Sequence, residues 1–335
     1  MVVINRQWRA NGRPAGRALR DGDFAYHEEP ARTPQAGEVL VRSLYLSMDP
    51  SLKGWMGAFG AAAEGQGPVI FGLGVGQVLQ SESSRLTRGD MVVGPLGWQD
   101  HPTLEASELE KVPNDELLSA NLGVLGLTGL TALFGLRKIG RPFPGDTVVV
   151  TGAAGATGSI AGQLAKLSGC HVVGIAGGVE KCRWLTDELG FDAAIDYKSS
   201  DLRSELERLA VSGIDVLWDN VGGEQLDTLL GLLNLNARVV LCGGIARYTQ
   251  TPPPPGPTNY FSLVTKRSQM EGFLIGDYAS EFPWGRERLR DLLRRGLIKH
   301  REDVKRSFEN APKALDELFS GANFGKRLLH IADPI

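Results

Sequence analysis

One segment, Thr147 to Ser159, constrains this 335-residue chain more than any other. Thr147-Val148-Val149-Val150 predicts a buried strand, and Thr151-Gly152-Ala153-Ala154-Gly155-Ala156-Thr157-Gly158-Ser159 follows it directly. Ile160, Leu164, Ala165 and Leu167 then recur at helical spacing. A strand that turns through small residues into a helix lets the backbone approach a pyrophosphate closely. The unpaired N–H groups of the helix's first turn attract its charge. The spacing is Ala-x-Gly-x-x-Gly, with alanine where the usual fingerprint has its first glycine. A glycine-rich turn without a ligand is the alternative reading, and the flanking strand and helix argue against it.

The rhythm on either side predicts the fold class. Before about residue 120 the chain has short apolar runs, Glu38 to Arg42 and Met91 to Val93, between Gly, Pro and Asp, which suits a β-rich, barrel-like domain. Gly72, Gly74 and Gly76 alternate with Phe71, Leu73 and Val75, predicting close backbone packing or a bend in a strand. An apolar, Gly-containing helix is expected over Ser119 to Leu136. Strands are then expected at 171–175, 193–196, 214–219 and 238–242, with helices near 181–189, 201–210 and 224–233 between them. Such βαβ alternation predicts an α/β, doubly wound parallel sheet of the Rossmann type. Beyond it lie Thr251 to Pro257, a stiff proline loop of unassigned role, a strand near 270–275, helices near 286–294 and 312–319, and a strand near 328–331. The expected domains are 1–122, 123–300, and a terminal segment 301–335 that returns to the first.

The same βαβ unit speaks to cofactor choice. An acidic residue at the end of the second strand would bind the ribose hydroxyl of NAD. Here that strand ends at Gly177, which leaves room for a phosphate, and Lys181 follows as a point charge for it. Tyr197, after the third strand, adds a hydroxyl. Glu180 argues mildly the other way. Simple packing is the preferred reading of Cys182, with a pKa lowered by the adjacent Lys181 as the alternative.

Composition closes off other classes. A net charge of −3 leaves no electrostatic footprint for nucleic acid. The arginines between 286 and 295 interleave with leucines as a solvated helix face. No run of about 18 apolar residues predicts a membrane span. Three scattered cysteines and an N-terminus without an apolar leader suit a reducing, cytoplasmic setting. The first 169 residues contain no cysteine, and His27 and His101 stand apart from any ligand motif, so no metal site is expected and both read as surface histidines.

The chain resembles the prostaglandin reductase/leukotriene B4 12-hydroxydehydrogenase branch of the zinc-independent medium-chain dehydrogenase/reductases, with its curcumin-reductase-like and plant double-bond reductase members. The resemblance runs nearly end to end. It is carried by Leu46-Ser47-Met48-Asp49-Pro50, Leu125 to Ala132, Ala153 to Ser159, Gly174-Ile175-Ala176-Gly177, Asp219 to Gly223 and Gly321 to Lys326. Leu127 departs, standing where a methionine is usual. The resemblance implies a Rossmann domain beside a GroES-like catalytic domain, NADP(H), a homodimer, and reduction of the C=C bond of a small α,β-unsaturated ketone or aldehyde. By position it implies cofactor contacts from Thr131, Ala154, Gly155, Ala156, Thr157, Gly158, Gly177, Lys181, Tyr197, Asn220, Cys242, Gly243, Tyr248 and Asn323.

Without a Lewis acid, alcohol oxidation loses its main stabiliser of an alkoxide. Adding hydride to a conjugated double bond asks only for a donor to the carbonyl oxygen. Tyr248 is the first candidate for that donor and Tyr260 the second, with the cofactor's ribose hydroxyl or a water as the alternative. Tyr45, Trp55 and Phe59 are candidates for an apolar substrate pocket, with core packing as the alternative. A quinone reductase, or a non-catalytic NADPH-binding protein, is the competing functional reading.

Overall fold

The structure is a computed structural model and describes all residues except Met1, Ala15, residues 61–66 and 210–212, Thr251 and Pro253. The chain divides into two compact units. The first comprises Met1–Gly123, Glu302–Asn323 and Arg327–Ile335, and the second Val124–Arg301 with Phe324–Lys326.

In the first unit β1 (Ile4–Ala10) and β2 (Phe24–Pro30) form an antiparallel pair. β3 (Glu38–Ser47) is followed by helix α1 (Ser51–Phe59), then β4 (Gly74–Ser81), β5 (Met91–Gly94), β6 (Thr103–Glu105) and β7 (Glu110–Val112). β3 is buried along nearly its whole length because it pairs with β4 and β6 and faces a core around Val41, Leu46, Leu96 and Trp98. The alternate-glycine expectation is met at Gly76, where a Cβ would lie 2.4 Å from Val41 Cγ1 and 2.7 Å from the Arg42 carbonyl across the ladder.

The second unit opens with α2 (Leu127–Gly135), which runs on into a π-helical turn at Leu136–Gly140. The single helix expected over Ser119 to Leu136 is instead two pieces, a 3-10 turn at Ser119–Leu122 and α2. Gly123 and Gly126 take non-helical backbone angles between them, so an apolar period alone does not carry the helix through. Then β8 (Thr147–Thr151), α3 (Ala156–Leu167), β9 (His171–Ala176), α4 (Val179–Arg183), β10 (Ala193–Asp196), α5 (Leu202–Leu209), β11 (Ile214–Asp219), α6 (Gly223–Leu230), β12 (Leu233–Leu241), α7 (Ser262–Thr265), β13 (Gln269–Gly272) and α8 (Phe282–Arg294) follow. The expected last residue of α5, Ala210, lies outside the described residues, as do Thr251 and Pro253 of the proline loop. β12 begins at Leu233, well before the expected Arg238. Leu233-Asn234-Leu235-Asn236 alternates with period two, and Asn236, at φ 61°, sits where the pairing with β11 shifts register.

The six strands order as β10-β9-β8-β11-β12-β13, all parallel. This is a Rossmann sheet, with a crevice where the strand order reverses beside β8. All five β8 residues are buried, as a central parallel strand requires. The solvated arginine face at α8 holds for Arg288, Arg294 and Arg295, which are exposed, with Arg288 and Arg295 pairing with Asp291, whereas Arg286 and Arg290 are half-buried; Leu289 and Leu292 are buried. The chain closes with β14 (Glu302–Arg306), α9 (Ala311–Phe319) and β15 (Lys326–His330), which pairs antiparallel with β3. No helix among the described residues is long and apolar enough to cross a membrane.

Candidate active site

Three strand ends meet at the crevice. The Thr151 hydroxyl, at the end of β8, donates to Asp219 Oδ1 at the end of β11, 2.7 Å away. It also accepts the Asn220 N–H at 2.9 Å. Asn220 returns a side-chain bond to the Thr151 carbonyl at 2.6 Å, and its Oδ1 accepts the Trp218 indole N–H. The Asp219 carboxylate further accepts the N–H groups of Val221 and Gly222, and so folds the turn after β11. Burial pushes Asp219 up from its ordinary pKa, against the pull of these hydrogen bonds. The turn after β12 is tied alongside: Cys242 and Gly243 donate to the Asp219 carbonyl, Ile245 to Asn220 and Ala246 to Val221. Tyr248, half-buried, stands just beyond it.

The glycine-rich turn fits a pyrophosphate. A Cβ on Gly158 would lie 2.5 Å from the Gly152 carbonyl, so the helix can start this close to the strand only with glycine there. The first intrahelical bond runs from the Ser159 N–H to the Gly155 carbonyl. The N–H groups of Ala156, Thr157 and Gly158 precede it and have no acceptor within the helix. Ala154 is buried, while Gly155, Ala156 and Thr157 are half-buried. Thr131 lies half-buried on α2, which packs against α3.

At the end of β9, a Cβ on Gly177 would lie 2.9 Å from Lys198 Cε and 3.0 Å from Tyr197 Cε1. A side chain there would have to displace the end of the Lys198 side chain and the Tyr197 ring. Lys198 is exposed and makes no ion pair with a described residue. Asp196 holds the two strand ends together, accepting the N–H of Gly178 at 2.8 Å and of Lys198 at 3.0 Å. Lys198 is absent from the sequence reading. The signal was available only through pairing, because Asp196 lies opposite Ala176 in the β9–β10 register. Lys181 is half-buried on α4.

Two family profiles match: one described as the N-terminal domain of oxidoreductase over residues 6–112, and one described as zinc-binding dehydrogenase over 156–291. The NADPH-dependent curcumin reductase of Escherichia coli is 37% identical over 337 residues, covering 98% of this chain and 97% of that protein. An NADP(+)-dependent 2-alkenal reductase of Nicotiana tabacum is 39% identical, covering 89% and 88%. Among solved structures, CurA from Vibrio vulnificus in complex with NADPH superposes with a TM-score of 0.91 at 39% identity, covering 98% and 100%. The chain belongs to the zinc-independent medium-chain dehydrogenase/reductases, in the curcumin, alkenal and prostaglandin reductase branch.

Within this reductase family the profile description names zinc, yet among the described residues no three His, Cys, Asp or Glu side chains gather to hold a metal ion. His101 is not a surface histidine. It is half-buried with Nδ1 3.1 Å from Asp100 Oδ1, and His27 is half-buried too. The thiols suit packing rather than reactivity. Cys182 is pushed up rather than lowered, by burial and by Asp196. Burial, with Asp219 adding, takes Cys242 to about 12.

The remaining predicted residues lie apart from this crevice or in the other unit. Tyr260 is largely exposed, at 59%, in the turn before α7. In the first unit Trp55 packs against Phe59 and Phe71, at centroid distances of 5.6 and 6.3 Å. Phe59 is 61% exposed. Tyr45 packs instead against His330 at 5.0 Å. Asn323 is half-buried after α9.

Proposed function

We propose that this chain binds NADPH at the carboxyl edge of its parallel sheet and reduces the C=C bond of α,β-unsaturated ketones and aldehydes. The observation that carries the reading is the full-length likeness to a curcumin reductase and an alkenal reductase, joined to a loop built for a pyrophosphate. When bound, NADPH supplies a hydride for the β-carbon of the substrate.

The residues of this chain do the rest. The N–H groups at the helix start, of Ala156, Thr157 and Gly158, hold the pyrophosphate. Lys181, Lys198 and the Tyr197 hydroxyl take the 2′-phosphate beside Gly177. Asn220, Cys242 and Gly243 line the way to the reacting ring, with Thr131 and Asn323 as further cofactor contacts. Tyr248 donates a hydrogen bond to the carbonyl oxygen on which negative charge collects, and such a donor is worth about 100-fold or more in rate. Tyr45, Trp55 and Phe59 receive the apolar part of the substrate.

A homodimer belongs to this reading. β13 is one of the sheet's two edge strands, and around it in sequence Phe261, Val264 and Leu274 are 60%, 64% and 75% exposed. A second copy would cover them. The three unpaired thiols fit work in the cytoplasm.

The test follows NADPH absorbance with an alkenal, a benzylidene ketone, a simple quinone, and a secondary alcohol with NADP⁺. Faster consumption with the first two supports the reading. Activity with the quinone alone makes the protein a quinone reductase. Silence with all, while NADPH binds, makes it a non-catalytic binder.

A further inference from the structure

We propose that the C-terminal tail clasps the dinucleotide loop, with Phe324 and Gly325 as positioning residues for the cofactor's pyrophosphate; this rests on the NADPH reading above.

A turn of small residues is inexpensive to bend and entropically costly to hold still. The peptide joining Ala154 to Gly155 is held from both sides. The Gly155 N–H donates to the Gly152 carbonyl at 3.0 Å, and the Ala154 carbonyl accepts the N–H of Gly325 at 2.9 Å. Gly155 and Gly325 thus form a one-residue parallel bridge between the loop and the far end of the chain. With the Gly155 N–H committed, the helix-start donors are those of residues 156–158, the first of them beside this bridge. Their direction follows from the orientation of the peptide just ahead of them.

The clasp has its own anchor. The Phe324 ring stands edge-on to Trp184 at 5.1 Å and 87°. The Arg301 guanidinium covers it 3.8 Å from its centroid. The Lys326 N–H donates to the Arg301 carbonyl at 2.8 Å. Gly325 sits at φ 83°, and a Cβ there would lie 2.2 Å from that same carbonyl, so only glycine lets the tail pass. Trp184 is buried in the turn that continues α4, the helix carrying Lys181. One aromatic contact therefore ties the pyrophosphate loop to the helix beside Gly177.

The experiment compares wild type, Phe324→Ala, Phe324→Tyr and Arg301→Ala. Hydrogen exchange of the cofactor-free protein is followed over peptides spanning Ala153 to Ser159. Calorimetric titrations use NADPH and adenosine 2′-monophosphate, which lacks the pyrophosphate. The clasp predicts loop exchange in Phe324→Ala about tenfold faster and NADPH binding about tenfold weaker, with the monophosphate unchanged and Phe324→Tyr close to wild type. Arg301→Ala, at an exposed position, moves the same readouts by roughly threefold and keeps the test open should Phe324→Ala not fold. Unchanged loop exchange in folded Phe324→Ala overturns the clasp. So does an equal loss for both ligands, which would mean a general structural role. If wild type does not bind NADPH, the cofactor reading fails, and the exchange data still judge the clasp.

Discussion

The Thr151 hydroxyl and the Asp219 carboxylate meet at 2.7 Å at the ends of adjacent strands, and neither residue has any solvent exposure. Thr151→Val keeps the shape and removes the oxygen. The Asn220 N–H loses its acceptor and Asp219 loses one donor. The expected cost is about 2–3 kcal/mol, read by urea unfolding. NADPH affinity should fall with it, because Asn220 and the Gly222 turn hang on this pair. A variant as stable as wild type would mean the network is dispensable.

The two lysines beside Gly177 should govern cofactor choice. Lys181→Ala and Lys198→Ala are each expected to raise the NADPH Kd by about tenfold, the worth of one charge-assisted hydrogen bond, and to leave NADH binding unchanged. Paired titrations check this. Equal losses for both cofactors at either position remove that lysine from phosphate recognition.

Tyr248 and Tyr260 should separate cleanly. Tyr248→Phe is expected to lower kcat about 100-fold while the KM for NADPH stays within about twofold, because the proposed hydrogen bond strengthens as charge develops in the transition state. Tyr260→Phe, at an exposed position, should change neither parameter by more than about twofold. Single-turnover stopped-flow with a benzylidene ketone distinguishes them. Full turnover in Tyr248→Phe moves the donor role elsewhere.

Acid stability should divide between two buried carboxylates of opposite sign. Burial alone would raise Asp100. The neighbouring His101 and the hydrogen bonds from Arg6 outweigh it and hold its pKa below the ordinary value. Its stabilising contribution is therefore complete above the unfolded pKa, about 4, and is lost as pH falls through the folded one. Asp219 is raised, so its contribution is complete below about 4 and is lost as pH climbs through its folded value. Tm measured against pH should fall less steeply below about pH 4 in Asp100→Asn than in wild type. Asp219→Asn should lose the wild-type gain on acidifying from neutral toward about pH 4. Slopes unchanged in both variants would contradict these assignments.

Much of this was legible because it is local. Val148 to Gly158 carries strand, turn and helix in consecutive residues, and each residue's size does its own work within a few ångströms. The strand and helix alternation from β8 to β12 was readable for the same reason. Apolar periodicity misled where glycines intervened, at Gly123 and Gly126, and at Gly231, which ends α6 ahead of the period-two run that opens β12 at Leu233. The lowered-pKa alternative for Cys182 fails because burial, and Asp196 as its neighbour in space, push the thiol up, while the sequence displays only Lys181 beside it.

By itself, then, the sequence determined the βαβ rhythm, the pyrophosphate turn, the absence of cysteine ligands upstream of Cys170, and a glycine where an acidic ribose partner would stand. Only the tertiary structure decided which side chains surround that glycine and what holds the turn. The β9–β10 register sets Lys198 over Gly177, the Thr151–Asp219 bond joins strands far apart in the chain, and Gly325 reaches Ala154 from the tail. The physical reason is common to all three. Dihedral preference and apolar period are written in neighbouring residues. Hydrogen bonds across a sheet depend on which strands become neighbours and in what register, and that follows from burying the whole core at once.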